Sequence, residues 1–361
     1  MDLKQIGWDD KRTAEFMAFS EKGFSPARVA AEYRERYTVL SECGEMEAEV
    51  TGRFIHLSED FSEFPKTGDW VAVSVFKDEN KAIIHEVLER NTVFSRSAAG
   101  EKTQEQVIAA NIDCVFIVQG LDNNYNPARL QRYAAAVSAA KGIEPVIVLN
   151  KSDIGEKIGE KTAEINRLLP GVRVMAVSAK NGRGFDELEK YIQSRKTYAF
   201  TGSSGAGKSS IINRLAGENL AGINEVREKD SKGRHTTTAR QLFVLKNGGL
   251  VIDTPGMRGL GLWVEKGAAV SGYEEIEKAA EKCRFSDCTH ETEPGCAVRD
   301  AIEKGLIDKK RFEAYKKLQR EAFHIKAKTD EKAAIEKKKK DKEFGRMVKS
   351  VMKQKKARKR Y

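Results

Sequence analysis

The stretch TGSSGAGKSS at residues 201–210 decides the fold of this 361-residue chain. Within it, Gly202 to Ser209 fit the pattern G-x-x-x-x-G-K-S, with the strand-like TYAF before it and a helical segment after it. In such a loop the backbone amides of small residues surround phosphate groups, the lysine reaches the β and γ oxygens, and the hydroxyl binds Mg²⁺. An ordinary glycine turn is the alternative interpretation. The predicted loop residues are Gly202, Ser203, Ser204, Gly205, Ala206, Gly207, Lys208, Ser209 and Ser210.

A second motif, NKSD at residues 150–153, follows the strand-like PVIVL. Its side chains are therefore expected at the carboxyl end of a parallel sheet, where such folds bind ligands. The carboxylate of Asp153 can accept hydrogen bonds from N1 and the exocyclic amino group of guanine; adenine offers no such pair, so the motif favours GTP over ATP. After it, SAK at residues 178–180 places the Ala179 amide where it can donate to guanine O6. The predicted base-contacting residues are Asn150, Lys151, Ser152, Asp153, Ser178 and Ala179.

A third motif, DTPG, ends the apolar strand GLVIDT. We expect Asp253 to hold Mg²⁺ through water and the amide of Gly256 to meet the γ-phosphate. In the polar segment KGRHTTTAR, Thr237 or a neighbouring threonine is expected to reach Mg²⁺ and the γ-phosphate in the GTP state. Met257 stands where many GTPases place a water-orienting glutamine, which predicts slow intrinsic hydrolysis. Three roles are open for His235: it orients the water in place of that glutamine, it faces solvent, or it contacts phosphate.

The order of these motifs differs from the usual one. They resemble the motifs of GTPases, in which the phosphate loop normally comes first, whereas here the two base motifs precede it. We therefore predict a circularly permuted P-loop GTPase domain of the α/β class, with the old termini joined between Phe185 and Tyr198. The segments that sense the γ-phosphate then lead directly into whatever follows Leu260.

The segment CRFSDCTHETEPGC predicts a metal site, because it spaces four ligands as C-x₄-C-x-H-x₅-C. Three thiolates and one imidazole form a closed tetrahedral site of the structural kind, for which Zn²⁺ is the usual occupant. The alternative is a set of reduced, buried cysteines beside a surface histidine. The predicted metal ligands are Cys283, Cys288, His290 and Cys296.

The domain organisation follows from the strand and helix patterns. Five short runs, RYTVL, EAEVTGRFI, DWVAVSVF, KAIIHEVLE and TVFSRS, predict a small OB-type β-barrel. Farther along, apolar strands that alternate with helical segments predict a parallel sheet covered on both faces. The predicted parts are a helical N-terminal extension (1–36), an OB-fold-like barrel (37–96), the permuted GTPase domain (107–263), a zinc-binding helical subdomain (264–325) and a basic tail (326–361).

The net charge of +10 is concentrated in the tail, which holds 16 Lys and Arg against 5 Asp and Glu. A near-neutral body with a basic end predicts a polyanionic partner, either nucleic acid or an acidic membrane surface, and a solvated lysine-rich end is the alternative. The sequence contains no run of about 18 apolar residues and no basic start followed by an apolar stretch. We expect a soluble, cytoplasmic monomer that is not inserted in a membrane.

Taken together, the barrel, the permuted motifs and the cysteine cluster resemble the bacterial small ribosomal subunit GTPase family RsgA, also called YjeQ. The resemblance extends from about Tyr37 to Leu318 and includes TGDWV, NKSD, GSSGAGKSS, GRHTTT and DTPGMR. It implies a late assembly factor that binds the small ribosomal subunit and its rRNA, hydrolyses GTP faster when bound, and then leaves. The implied cofactors are GTP or GDP, Mg²⁺ and one structural Zn²⁺. The family also has a hydrophobic residue at the position of Met257.

Two other functions stay open at this stage. The chain could be a non-enzymatic RNA-binding protein whose nucleotide site only stabilises the fold, or a GTPase that the tail docks on acidic membranes. For an RNA-binding barrel, the candidate contact residues mix basic and aromatic side chains, although Trp70 also fits a core position. These candidates are Arg53, Phe54, His56, Lys66, Trp70 and Arg96.

Overall fold

In the computed structural model of this chain, the described strands form two sheets, one of 11 strands and one of 2. The residues that it describes are 1–33, 36–58, 62–97, 105–217, 240–253, 273–285, 288–291, 293–309, 312–313 and 315–316. No helix among them is long and apolar enough to span a bilayer.

The N-terminal part forms a closed five-stranded barrel. Its strands are β1 (Ser25–Glu32), β2 (Tyr37–Ser41), β3 (Gly44–Val50), β4 (Trp70–Phe76) and β5 (Lys81–Val87), with helices α1 (Asp10–Ser20) and α2 (Gly52–Leu57) and short 3₁₀ turns at Leu3–Ile6 and Lys77–Glu79. The strands follow each other in the order β1, β2, β3, β5, β4, and β4 pairs back to β1, so the sheet has no open edge. Alternate residues such as Val29, Val39 and Val73 fill the interior.

The prediction that the first 36 residues are helical is wrong for β1. Ser25–Glu32 is a full barrel strand that pairs with both β2 and β4. Its sequence SPARVAAE is rich in alanine, which favours helices locally. Here Ala27 and Val29 alternate into the barrel core, and this burial overrides the local preference.

Two of the predicted barrel strands differ in the structure. The run EAEVTGRFI is strand only to Val50, because Thr51 caps α2 by accepting a hydrogen bond from Phe54 N at 3.0 Å. The run TVFSRS does not join the barrel: β6 (Val93–Ser97) pairs with β7 (Glu105–Ala110) in the separate two-stranded sheet. The fifth strand of the barrel is therefore β1, not β6. The remaining domain boundaries stay predictions.

The second half of the large sheet is the predicted α/β unit. It contains β8 (Cys114–Gly120), α3 (Pro127–Ala139), β9 (Glu144–Asn150), α4 (Ile158–Leu168), β10 (Arg173–Ala176), α5 (Phe185–Tyr191), β11 (Thr197–Gly202), α6 (Lys208–Ala216), β12 (Gln241–Val244) and β13 (Leu250–Asp253). The strand order is β10, β9, β8, β11, β13, β12, and only β12 runs antiparallel to its neighbour β13. All seven residues of β8 are buried, because helices cover both faces of the sheet.

A short connection joins α5 to β11, where the sequence predicted the join of the old termini. Only residues 192–196 lie between Tyr191 and Thr197. The hydroxyl of Tyr198 accepts a hydrogen bond from Gln193 N at 2.9 Å and donates to the carbonyl of Tyr191 at 3.1 Å. One side chain therefore holds both ends of the connection.

The C-terminal part that the structure describes contains α7 (Glu274–Ala280), α8 (Ala297–Glu303), the loop between them and the described residues from 304 to 316. Its apolar side chains, including Ile276, Val298 and Phe312, belong to the same buried cluster as the α3 face of the sheet. The basic tail lies outside the described residues.

A buried arginine connects the N-terminal segment, the barrel and the α/β sheet. The Arg28 guanidinium donates to the carbonyls of Ile6, Gly68 and Asn111 and to the hydroxyl of Thr197. It also lies over the ring of Trp70, 5.4 Å from the ring centroid. Burial lowers the pKa of Arg28 to about 10, which still leaves it charged at neutral pH. Trp70 is thus a core residue, with 2% of its surface exposed.

We expect Arg28→Lys to reduce the free energy of unfolding, because an ammonium group has fewer donors and leaves buried carbonyls unpaired, at about 1–3 kcal/mol for each one. Urea unfolding followed by tryptophan fluorescence measures this change. Arg53→Lys on exposed α2 is the matched control and should stay within about 0.5 kcal/mol of the wild type. Equal stability of the two variants would show that Arg28 does not hold the three parts together.

Candidate nucleotide and metal sites

The carboxyl edge of the parallel strands brings the predicted motifs together. Asn150 ends β9 opposite Gly120 of β8, and Gly202 ends β11 opposite Val118 of the same strand. On the other side of β11, Phe200 is in register with Asp253, the last residue of β13. The base motif, the phosphate loop and the third motif therefore start from one edge of one sheet.

The side-chain amide of Asn150 connects the phosphate loop to both base motifs. Its Nδ2 donates to the carbonyl of Ala206 at 2.9 Å, and its Oδ1 accepts a hydrogen bond from Ala179 N at 3.1 Å. Asn150 is 2% exposed, so water does not compete for these bonds. Gly207 has φ 90°, and a Cβ there would lie 2.2 Å from Asn150 Nδ2. The contact thus requires glycine at this position of the loop.

The predicted guanine-reading carboxylate is exposed and held in place. Ser178 Oγ donates to Asp153 Oδ1 at 2.7 Å, and this hydrogen bond keeps the pKa of Asp153 below its usual value. The carboxylate is therefore ionised at neutral pH. An ionised carboxylate is what can accept hydrogen bonds from both N1–H and the exocyclic amino group of guanine. Ser152 lies behind it, buried, with its amide donating to the carbonyl of Val177 at 3.1 Å.

Two supporting residues were missed in the sequence. Asp122, two residues after β8, binds Lys151 Nζ through Oδ2 at 2.7 Å, and this hydrogen bond lowers the pKa of Asp122. Arg214 on α6 donates to the carbonyl of Ala179 at 3.3 Å and lies over the ring of Phe185. An acidic residue after a buried strand at this edge was a signal for Asp122, but no motif indicates Arg214.

The phosphate loop has the backbone geometry that its glycines allow. Gly202 has φ 143°, and a Cβ there would lie 2.0 Å from the carbonyl of Val118. The loop leads into the N-terminus of α6, and Lys208 Nζ donates to the carbonyls of Gly202 and Ser203 at 2.9 and 3.0 Å. Ser204 and Ser209 are exposed. A glycine-rich loop that leads into a helix N-terminus beside a lysine is an arrangement that favours anion binding.

Lys208 and Asp253 lie close enough to affect each other's charge. Burial lowers the pKa of Lys208, and the carboxylate of Asp253 partly opposes that change. Burial raises the pKa of Asp253, opposed in turn by Lys208. Ser209 and Asp253 are oxygen donors of the type that Mg²⁺ prefers. The predicted residues Thr237, His235 and Gly256, as well as Met257, lie outside the described residues.

The four predicted metal ligands form a compact cluster between α7 and α8. Their ligand atoms all lie within 4.8 Å of one another. His290 Nδ1 is 3.5 Å from Cys283 Sγ and 3.4 Å from Cys296 Sγ, and the two sulfurs are 3.9 Å apart. Tetrahedral zinc with Zn–S bonds of about 2.3 Å requires sulfur separations of about 3.8 Å, so the cluster fits this ion. The sulfur of Cys296 also accepts a hydrogen bond from Arg299 N at the start of α8, at 3.5 Å.

Comparison with known proteins assigns the chain to a family. The model of the RsgA GTPase family matches residues 87–263, and a model described as a 50S ribosome-binding GTPase matches residues 197–338. The small ribosomal subunit biogenesis GTPase RsgA of Opitutus terrae is 42% identical over 339 residues, which are 91% of this chain and 92% of that protein. The chain belongs to the RsgA GTPase family. This RsgA-family chain is therefore a GTPase that binds GTP and GDP.

Solved structures with the same fold support the assignment. YjeQ from Thermotoga maritima has a TM-score of 0.59 at 26% identity, over 82% of this chain and 97% of that one. YloQ, whose title calls it a circularly permuted GTPase, has a TM-score of 0.55 at 21% identity, over 85% of this chain and 96% of that one. The predicted fold of a permuted GTPase domain with an OB-type barrel is thus confirmed for this RsgA-family chain.

We expect Asp153→Asn to lower the affinity for GDP by a factor of about 10⁴, because an amide cannot accept both guanine hydrogen bonds and leaves the base unpaired. Titration with a fluorescent GDP measures the affinity. Asp186→Asn on α5 is the control and should bind as the wild type does. An unchanged affinity of Asp153→Asn would contradict the assignment of the base site.

Removal of metal is expected to unfold α7, α8 and the segment between them, since zinc can contribute about 10–16 kcal/mol of folding free energy to such a site. Elemental analysis should find about one zinc ion per chain, and a chelator should reduce the helical circular dichroism signal. Cys288→Ser tests the ligand set, with Cys43→Ser in the barrel as its control. A metal-free protein with an unchanged spectrum would contradict the prediction.

Proposed function

We propose that this chain is a GTP-hydrolysing assembly factor that acts late in maturation of the small ribosomal subunit, binds its rRNA and hydrolyses GTP faster on the subunit. The observation that carries the proposal is the contact of Asn150 with both Ala206 and Ala179, which makes guanine recognition and phosphate binding parts of one pocket. We propose the small ribosomal subunit as the partner because the name of the Opitutus terrae relative describes small ribosomal subunit biogenesis.

In the proposed complex, guanine is selected by Asp153 and by the amide of Ala179. Asp153 accepts hydrogen bonds from N1 and the exocyclic amino group, and the amide donates to O6. The stem of Lys151 lies along the base, held there by its ion pair with Asp122. The hydrogen bond from Ala179 N to Asn150 fixes the Ala179 backbone relative to the base motif, which lowers the cost of ordering this loop around guanine.

Phosphate binding is assigned to the loop that precedes α6. Its amides donate to phosphate oxygens, and Lys208 exchanges its bonds to the carbonyls of Gly202 and Ser203 for bonds to the β and γ oxygens. We assign Ser209 and Asp253 to Mg²⁺, which when bound neutralises charge that develops on the phosphates.

Positioning of the hydrolytic water requires a residue other than the one that follows Gly256. Met257 has no polar group that can orient water, so the chain needs another donor or acceptor. We propose Thr237 or its neighbour as the residue that senses the γ-phosphate. For the water we propose His235 or a group of the bound rRNA.

The barrel offers a smaller RNA-binding face than its sequence predicted. Lys66 is largely buried in an ion pair with Glu32, and Trp70 is a core residue, so neither is available to RNA. Arg53 and His56 remain as exposed basic residues on α2, beside the half-buried ring of Phe54, and the side chain of Arg96 lies outside the described residues. We propose α2 and the basic tail as contacts to rRNA, because stacking and phosphate contacts need such side chains.

Multiple-turnover GTP hydrolysis with and without purified small ribosomal subunits tests the proposal. We expect the rate to rise several-fold with subunits, and this stimulation to fall between 50 and 200 mM salt because phosphate contacts release counterions. Lys208→Ala should abolish hydrolysis, and Lys190→Ala, at an exposed position on α5 outside both nucleotide motifs, is the matched control.

A rate that subunits leave unchanged would contradict the proposed function. Co-sedimentation with acidic lipid vesicles but never with subunits would favour the membrane-docked alternative. The non-enzymatic alternative is not favoured, because the chain belongs to a family of GTPases.

A further inference from the structure

The barrel and the nucleotide-binding sheet share a strand pairing next to the proposed Mg²⁺ site. Ala31 of barrel strand β1 is in register with Gln241, the first residue of β12. On its other side, Gln241 is in register with Asp253 of β13. One residue of β12 therefore separates the barrel from the carboxylate assigned to Mg²⁺.

Side chains strengthen this pairing at the start of β12. Glu32 binds Lys66 with one carboxylate oxygen and lies 4.0 Å from Arg240 Nη1 with the other. Thr67 Oγ1 donates to the carbonyl of Arg240 at 3.3 Å. We call Glu32, Lys66, Thr67 and Arg240 the edge cluster. The side chains of its ion pairs are 12–23% exposed, so solvent screens them less than it screens surface pairs.

The barrel side of the edge cluster is rigidly held. Gly68 N donates to the carbonyl of Val29 at 2.9 Å, and Val29 N donates to the carbonyl of Asp69 at 2.8 Å. The Asp69 carboxylate accepts from Lys66 N and pairs with Arg90, and its side chain is fully buried. Residues 66–69 therefore cannot shift independently of β1.

The Asp253 backbone has two neighbouring strands, and the edge cluster anchors one of them. In β11 its partner is Phe200, which lies in the buried centre of the sheet. In β12 its partner is Gln241, which immediately follows Arg240. If Arg240 were released, the pairing at the first residue of β12 would weaken, and Asp253 would lose the support of one neighbour.

We propose that Glu32, Thr67 and Arg240 are positioning residues for Asp253, through which the barrel sets the geometry of the Mg²⁺ end of the GTP site. This inference rests on the proposed role of Asp253 in holding Mg²⁺. A displacement of the barrel is transmitted to the catalytic site along Ala31, Gln241 and Asp253. A ligand that binds the barrel then changes GTP hydrolysis without touching the nucleotide.

Glu32→Gln and Thr67→Val test the proposal in the full chain. The first removes the charge that faces Lys66 and Arg240, and the second removes the hydroxyl while it keeps the β-branched shape. The readout is the dissociation rate of a fluorescent GDP as a function of Mg²⁺ concentration. We expect half-maximal retention to need about three- to tenfold more Mg²⁺ in both variants, a range typical of coupling between neighbouring elements.

Three controls separate positioning from general stability. Glu49→Gln removes a carboxylate from another barrel ion pair, that with Arg36, and should leave the Mg²⁺ dependence unchanged. Thr67→Ser keeps the hydroxyl and should restore wild-type behaviour. Asp253→Asn should itself shift the Mg²⁺ dependence.

The outcomes distinguish the inference from the proposed function. Variants of the edge cluster with a lower thermal midpoint but wild-type Mg²⁺ dependence would have a structural role only, and this result would overturn the inference. If Thr67→Val does not fold, the Mg²⁺ dependence of Glu32→Gln alone tests the inference. The Glu32 side chain is partly exposed, so this substitution disturbs the packing less. An unchanged Mg²⁺ dependence in Asp253→Asn would instead reject the assignment of Asp253, on which the inference rests.

Discussion

The pocket depends on the side-chain amide of Asn150. It donates to the phosphate loop and accepts from the base loop, so the positions of Ala206 and Ala179 are set by one planar group. The bond to Ala206 is buried and the bond from Ala179 is partly buried, and the loss of the first would leave a buried polar group unpaired at a cost of about 1–3 kcal/mol. Gly207 has no side chain because a Cβ would overlap this amide. The base motif and the phosphate loop are therefore held at a fixed separation.

Circular permutation keeps this pocket because the sheet is unchanged by the place where the chain is cut. The five parallel strands still present their carboxyl ends to one edge, and residues 192–196 connect α5 to β11. At the other end of this half of the sheet, β12 lies between the third nucleotide motif and the barrel. The strand that borders Asp253 is therefore also paired with the barrel through Ala31 and Gln241.

The motifs were predictable because each is a local pattern with a physical requirement. The phosphate loop needs glycine at Gly202 and Gly207, where a Cβ would overlap other atoms, and the cysteine cluster needs ligand spacings that short loops can close. The first barrel strand was not predictable in the same way. Its alanines favour a helix locally, and only the partners β2 and β4 make it a strand. Arg214 was missed for a similar reason, because its target, the carbonyl of Ala179, lies 35 positions away.

The sequence by itself determined the chemistry of this protein: guanine recognition, phosphate binding, a Cys₃His cluster and the permuted order of the motifs. These depend on residue types at short spacings, which chain connectivity alone brings together. The tertiary structure decided which residues support that chemistry, namely Asp122 beside Lys151 and the edge cluster beside Asp253. It also decided that Arg28 joins the N-terminal segment, the barrel and the sheet, through a bond to Thr197 169 positions away. Such contacts form only when the whole fold buries their polar groups together, so no local pattern in the chain encodes them.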